Sequence, residues 1–118
     1  MTMHKGSCHC GSIAFDVEGE PAGIIECNCT HCSRKGFLLW FVPREQFHLH
    51  AGEAALSSYR FNRHMIDHRF CPQCGCQPFA YGKDPKTGAD MVAVNVRCLE
   101  GVDLASVERR SFDGLHLM

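Results

Sequence analysis

No stretch of this chain is apolar for long enough to cross a bilayer. The longest run, GFLLWFV at 36–42, falls far short of the roughly 20 residues that a spanning helix needs. An excess of either charge is missing too. Twelve basic side chains stand against 13 acidic ones, which removes the electrostatic case for nucleic acid or a membrane surface as partner. The opening MTMHKGSCHCG has no apolar core of the kind a signal peptide carries. Linkers, low-complexity tracts and internal repeats are absent as well. The 118 residues leave room for one core, so a single domain over 1–118 is expected. Without an export signal the expected compartment is the cytoplasm. In that reducing setting dense cysteine reads as metal binding or catalysis rather than disulfides, and the odd total of nine agrees.

Helical periodicity is scarce. Apolar residues mostly alternate: in SIAFDVEG, Ile13, Phe15 and Val17 share one face, with Ala14, Asp16 and Glu18 on the other. GIIEC is a second strand candidate. GFLLWFV is a third, buried on both sides and ended by Pro43. QFHLH, LSSYRF, HRF, PFAY and DMVAVNV follow, separated by turn signals such as HAGE and GKDPKTGAD. Only DLASVERR, opening on a cap at Asp103, has a helical pattern. The fold class is therefore mainly β, a β-sandwich-like domain of short antiparallel strands.

The cysteines sort by spacing into three clusters and a single. The clusters are Cys8-x-Cys10-Gly, Cys27-x-Cys29-x-x-Cys32 and Cys71-x-x-Cys74-Gly-x-Cys76; the single is Cys98. Residues i and i+2 of a strand point to one face about 6–7 Å apart, so a Cys-x-Cys pair reaches one metal if the chain curls. A Cys-x-x-Cys-Gly knuckle turns both thiolates inward, with the glycine supplying a positive φ. Cys8 and Cys10 with Cys71 and Cys74, each pair followed by glycine (Gly11, Gly75), fit a four-thiolate structural zinc that would staple a small β domain, against the alternatives of buried free thiols and a redox Cys-x-x-Cys, which no βαβ pattern supports. That leaves Cys27, Cys29 and Cys32 with a metal of their own. Three protein ligands and an open position are the arrangement of catalytic zinc. The competitor is a fourth protein ligand, from Cys76, Cys98 or one of the eight histidines.

Four segments together resemble one known family. They are GSCHCGSIAFDVEG, ECNCTHCSRKG, FCPQCGCQPF and VNVRCLEG, which stand in the family's order over about residues 6–101. The family is that of the glutathione-dependent formaldehyde-activating enzymes, which includes the centromere protein V domain. The resemblance implies a mostly β, two-zinc fold related to methionine sulfoxide reductase B and to a small zinc-containing helper of Rab GTPases. It implies Cys8, Cys10, Cys71 and Cys74 at the structural zinc, and Cys27, Cys29 and Cys32 at the catalytic one. It also implies a carbon–sulfur lyase or synthase whose partners are a small thiol, glutathione or similar, and an aldehyde. This chain is shorter than the family's founder and carries Cys76 where the family usually has no thiol.

Several other residues bear on the choice. Arg34 and Lys35 follow the triplet and can receive a substrate carboxylate, or simply sit solvated on a turn. His31 is a proton-shuttle candidate whose side chain is expected to face away from the metal. His48 and His50 share a strand face expected to be exposed, and His64 and His68 are weak metal candidates. Trp40 and Phe41 read as core. Asn95 and Arg97 either reach the site or satisfy backbone groups. Cys98 is the nucleophile of a second reading, a methionine-sulfoxide-type reductase with another thiol to resolve it. The third reading is a non-catalytic zinc module that binds a partner.

Overall fold

The computed structural model describes residues 2–52, 56–60, 66–84 and 86–113. Among these residues ten short strands form two sheets. β1 (Met3–Ser7), β2 (Ala14–Glu18) and β5 (Phe47–Ala51) make a three-stranded antiparallel sheet with β2 central. The second sheet has seven strands. Its middle is built from β4 (Leu39–Pro43), β9 (Asp90–Asn95) and β8 (Phe79–Lys83), which pair antiparallel. β7 (Asp67–Phe70) and β6 (Ser57–Tyr59) extend it on one side. β3 (Ile24–Cys27) and β10 (Arg109–Phe112) extend it on the other. A helix, α1 (Thr30–Lys35), connects β3 to β4.

The core lies where the two sheets face each other. Ile13, Phe15 and Val17 are buried from the small sheet, and Trp40, Val42, Phe79, Val92 and Val94 from the large one. The period-two pattern of SIAFDVEG thus places its apolar face inward, as expected for a strand with one side in the core. Phe15, Phe47 and Phe79 form an aromatic triangle, with ring centroids 4.7 to 5.9 Å apart. Gly6 on β1 stands opposite Phe15. A Cβ there would land inside that ring, which Phe47 and Phe79 hold in place. Gly6→Ala is therefore expected to destabilise the fold by about 1–3 kcal/mol, the usual cost of over-packing, read as a lower midpoint in denaturant unfolding.

Three expectations change. DLASVERR is no helix: the Asp103 carboxylate accepts from the Ala105 amide and its carbonyl from the Ser106 amide, giving a single turn. The chain then extends as β10, which pairs parallel with β3, an exception to the antiparallel rule. Tertiary pairing here overrides a local pattern of barely two turns. GFLLWFV is buried on both sides only in part. Its Phe41 points outward and is 45% exposed, while Trp40 and Val42 are in the core.

Candidate metal centre

After β1 the chain folds back through a turn in which the Gly11 amide donates to the Cys8 carbonyl. After β7 the Cys71–Cys76 knuckle closes in the same way, with Gly75 at φ 77° donating to the Cys71 carbonyl and the Cys71 amide donating to that of Cys76. The two turns bring Cys8, Cys10, Cys71 and Cys74 together, with all four sulfurs within 4.8 Å of one another. Cys8 and Cys10 Sγ are 3.7 Å apart, and Cys10 and Cys71 Sγ 3.6 Å. Four sulfurs at the usual Zn–S length of about 2.3 Å would be about 3.8 Å apart in a tetrahedron. The donor set and its spacing therefore fit zinc. The Cys10 and Cys76 amides hold the Cys74 thiol down to about 6, so one ligand is ready as the thiolate a metal requires.

The second cluster is built around a helix start. Cys27 ends β3, Cys29 is the N-cap of α1, and Cys32 lies in its first turn. Cys29 Sγ accepts from the Cys32 amide at 3.3 Å, in the manner of a capping serine, and Cys27 Sγ accepts from the Cys29 amide at 3.4 Å. Gly36, at φ 69°, closes the other end of α1 by donating to the Cys32 carbonyl. The three sulfurs also lie within 4.8 Å of one another. Burial pushes the Cys27 and Cys32 thiols up. Burial acts on Cys29 as well, but the Cys32 amide and the neighbouring thiols hold it below the ordinary value. Phe37 and Leu39 pack on the cluster. From the other side β10 places Phe112 opposite Cys27, the Asn28 amide donates to the Phe112 carbonyl, and the Asn28 side chain donates to Asp113. Among the described residues this group numbers three cysteines.

Cys76 lies with Cys98, their sulfurs 3.5 Å apart, and neither belongs to the three-sulfur or the four-sulfur group. Arg34 is exposed and turns back to donate to the Thr30 carbonyl. The exposed Lys35 acts electrostatically on both His31 and His68, which places its charge on the same side as those rings. His31 packs against Phe37, Tyr59 and His68, with ring centroids 5.6, 5.6 and 4.4 Å away. His48 and His50 are exposed and pair with Glu18 and Asp16 across the small sheet. His64 lies outside the described residues. Asn95 donates to the Gln77 carbonyl and accepts from the Arg97 amide, while Arg97 donates to the Gly36 carbonyl at the end of α1. Both therefore serve backbone groups. A cavity of about 400 Å³ lined by His4, Glu20, Asp103 and Glu108 contains no cysteine and belongs to neither cluster.

Phe37, which packs on the triplet, Phe112, which stands opposite Cys27, and Tyr59 and Gln77, which contact His31 and His68, were not singled out by sequence. Phe37 is adjacent to the motif, which is a usable signal; Tyr59 and Phe112 come from distant strands and Gln77 from the loop before β8. His68 is buried, and its Nδ1 lies 3.0 Å from Gln77 Nε2. An amide nitrogen can only donate, so Nδ1 accepts and the ring is neutral. Burial, with His31 adding to it, pushes the His68 pKa down to about 4. A histidine depressed in the native state takes up protons first when the chain unfolds. Its contribution is complete above the unfolded value of about 6.5 and is lost as pH falls from there toward 4. Ring resonances of His68 are expected to stay in the neutral form down to about pH 4, and His68→Gln to flatten the loss of stability over that window.

Comparison with known proteins supplies two findings. The family model described as "Glutathione-dependent formaldehyde-activating enzyme" matches residues 3–111. A crystal structure of a Rhodobacter sphaeroides protein is similar at 28% sequence identity and a TM-score of 0.76, covering 90% of this chain and 99% of that one.

Proposed function

The chain belongs to the family of glutathione-dependent formaldehyde-activating enzymes, and on that premise we propose that it makes or cleaves the adduct of a small thiol and an aldehyde at Cys27, Cys29 and Cys32. The observation that carries this reading is the count of sulfurs: three gather at the start of α1, while four others form a complete set elsewhere. Zinc held by three thiolates would supply a Lewis-acid position that favours the thiolate form of a bound thiol. The four-sulfur set is the structural zinc of the same proposal, making two metals per chain.

The reaction adds a thiol sulfur to a carbonyl carbon. A carbon–sulfur bond forms, the carbonyl π electrons move to oxygen, and the thiol proton ends on that oxygen; cleavage runs the same steps backwards. The chain's own groups contribute in four ways. The Cys29 and Cys32 amides fix two of the sulfurs, so little reorganisation is needed when a metal binds. Phe37 and Leu39 keep water from one side of the cluster. Lys35 offers a charge for a substrate carboxylate such as glutathione carries, whereas Arg34 is engaged with its own helix. The His31 and His68 rings, both held below the ordinary histidine value by burial and by this charge, lie against each other on the same side.

The test is an exchange measurement by NMR on the zinc-loaded chain with glutathione and formaldehyde, then with other small thiols and aldehydes. Interconversion of free and adduct forms faster than the spontaneous rate is expected for at least one pair. Rates equal to the protein-free control across the whole panel would leave a metal-binding module without this chemistry.

A further inference from the structure

Nine cysteines are present, and the two metal-type clusters account for seven of them. The remaining two are side by side: Cys76 Sγ and Cys98 Sγ are 3.5 Å apart although 22 residues separate them in sequence. Cys76 follows the knuckle that carries Cys71 and Cys74, and Cys98 ends the short 3-10 turn Val96–Cys98 after β9. Both are half-buried, and burial, with Cys76 adding to it, pushes the Cys98 thiol up. A disulfide needs its sulfurs about 2.0 Å apart, so closing this pair draws them about 1.5 Å nearer. Other close sulfur pairs, Cys8–Cys10 and Cys10–Cys71 among them, belong to the two metal-type clusters, where a metal would hold them.

We propose that Cys76 and Cys98 form a dithiol site that exchanges with the disulfide of a small thiol and closes reversibly to an intramolecular disulfide. The site is separate from the triplet and does not depend on the reaction proposed there. The exchange balances in two steps. One cysteine, as thiolate, attacks a sulfur of the small disulfide, forming a mixed disulfide and releasing one small thiolate. The second cysteine then attacks its neighbour's sulfur, forming the Cys76–Cys98 bond and releasing the other small thiolate. The two protons lost by the cysteines go to the two thiolates released. The chain is oxidised by two electrons and the small disulfide is reduced to two thiols. Excess small thiol drives the steps backwards.

The Cys76 amide also donates to Cys74, so this dithiol adjoins a ligand of the four-sulfur set without being one. That proximity makes zinc release a necessary second readout. The zinc-loaded full chain is to be equilibrated with mixtures of reduced and oxidised glutathione, its remaining thiols alkylated, and the peptides mapped while a chromophoric chelator reports freed zinc. The expected result is loss of alkylation at Cys76 and Cys98 together, a peptide linking the two, no zinc release at that stage, and full reversal by reduced glutathione. Cys76→Ser and Cys98→Ser should each abolish the linked peptide and leave at most a mixed disulfide on the remaining thiol. The proposal is overturned if both thiols stay alkylatable while the ligand cysteines oxidise and zinc appears. It is equally overturned if the wild type stops at a mixed disulfide on one of them.

Discussion

Cys71→Ser is expected to remove the metal from the four-sulfur set and to unfold most of the chain at room temperature. Cys71 is almost fully buried (1% exposed), and its sulfur meets that of Cys10 across 61 residues of sequence. The set therefore ties the turn after β1, in the small sheet, to the knuckle after β7, in the large one. Structural zinc bound to thiolates contributes on the order of 10 kcal/mol of binding free energy at neutral pH. A domain of this size has a total stability on the order of 5–15 kcal/mol. Losing the staple is thus comparable to losing the fold. A serine hydroxyl does not replace the thiolate, because it stays protonated at neutral pH. Metal content and thermal unfolding by circular dichroism check this together. A variant with full metal and an unchanged melting temperature would show that the set is not a staple.

Cys27→Ser is expected to separate function from stability. Cys27 lies at the end of β3 and is only half-buried, and a serine oxygen can still accept from the Cys29 amide that now donates to Cys27 Sγ. The expected cost in stability is within about 1 kcal/mol, as for a substitution that creates neither cavity nor buried charge. Thiol–aldehyde exchange should fall at least about a hundredfold, since losing one ligand of a three-ligand site exceeds the 10–100-fold typical of groups that merely support ligands. One of the two metal equivalents should be lost as well. Metal analysis, NMR exchange rates and denaturant unfolding on the same preparation resolve the three effects. Unchanged exchange in this variant, with exchange lost in Cys98→Ser, would move the chemistry away from the triplet.

The contrast between these two substitutions mirrors what could be read from sequence. The four-sulfur set was legible because each half is a local pattern: Cys-x-Cys-Gly and Cys-x-x-Cys-Gly dictate their own turns, and the glycine after each pair sets these two apart from the other cysteines. The central strands were legible because Ile13, Phe15 and Val17, or Val92 and Val94, carry the period of a half-buried or buried strand in their own residues. α1 was not legible. Thr30, His31 and Ser33 are poor helix formers, and six residues are too few to hold a helix alone. What holds α1 is the Cys29 cap, the Gly36 turn and the Arg97 guanidinium on the Gly36 carbonyl. The last of these comes from 61 residues away. β10 failed for the related reason that a parallel partner is set by long-range pairing. The Cys76–Cys98 approach is equally non-local, because nothing in a separation of 22 residues announces that two thiols will meet.

The residues around the triplet divide along the same line. Phe37 adjoins the motif, but Tyr59, His68 and Phe112 arrive from three different strands. The environment that would select a substrate is thus a product of the fold rather than of the cysteine motif. Under the proposed function this is where selection among small thiols would arise, and Lys35 beside the His31 and His68 rings is the feature from which to begin.

The central claim is that the triplet binds a metal with a position left for a substrate thiol. Cobalt(II) substituted into the chain reports this directly, because its visible and sulfur-to-cobalt charge-transfer bands respond to each added thiolate. Adding glutathione to the cobalt form is predicted to change these bands saturably in the wild type, and to leave them unchanged in Cys27→Ser. A wild-type spectrum that stays the same at saturating glutathione and at every other small thiol tried would contradict the account.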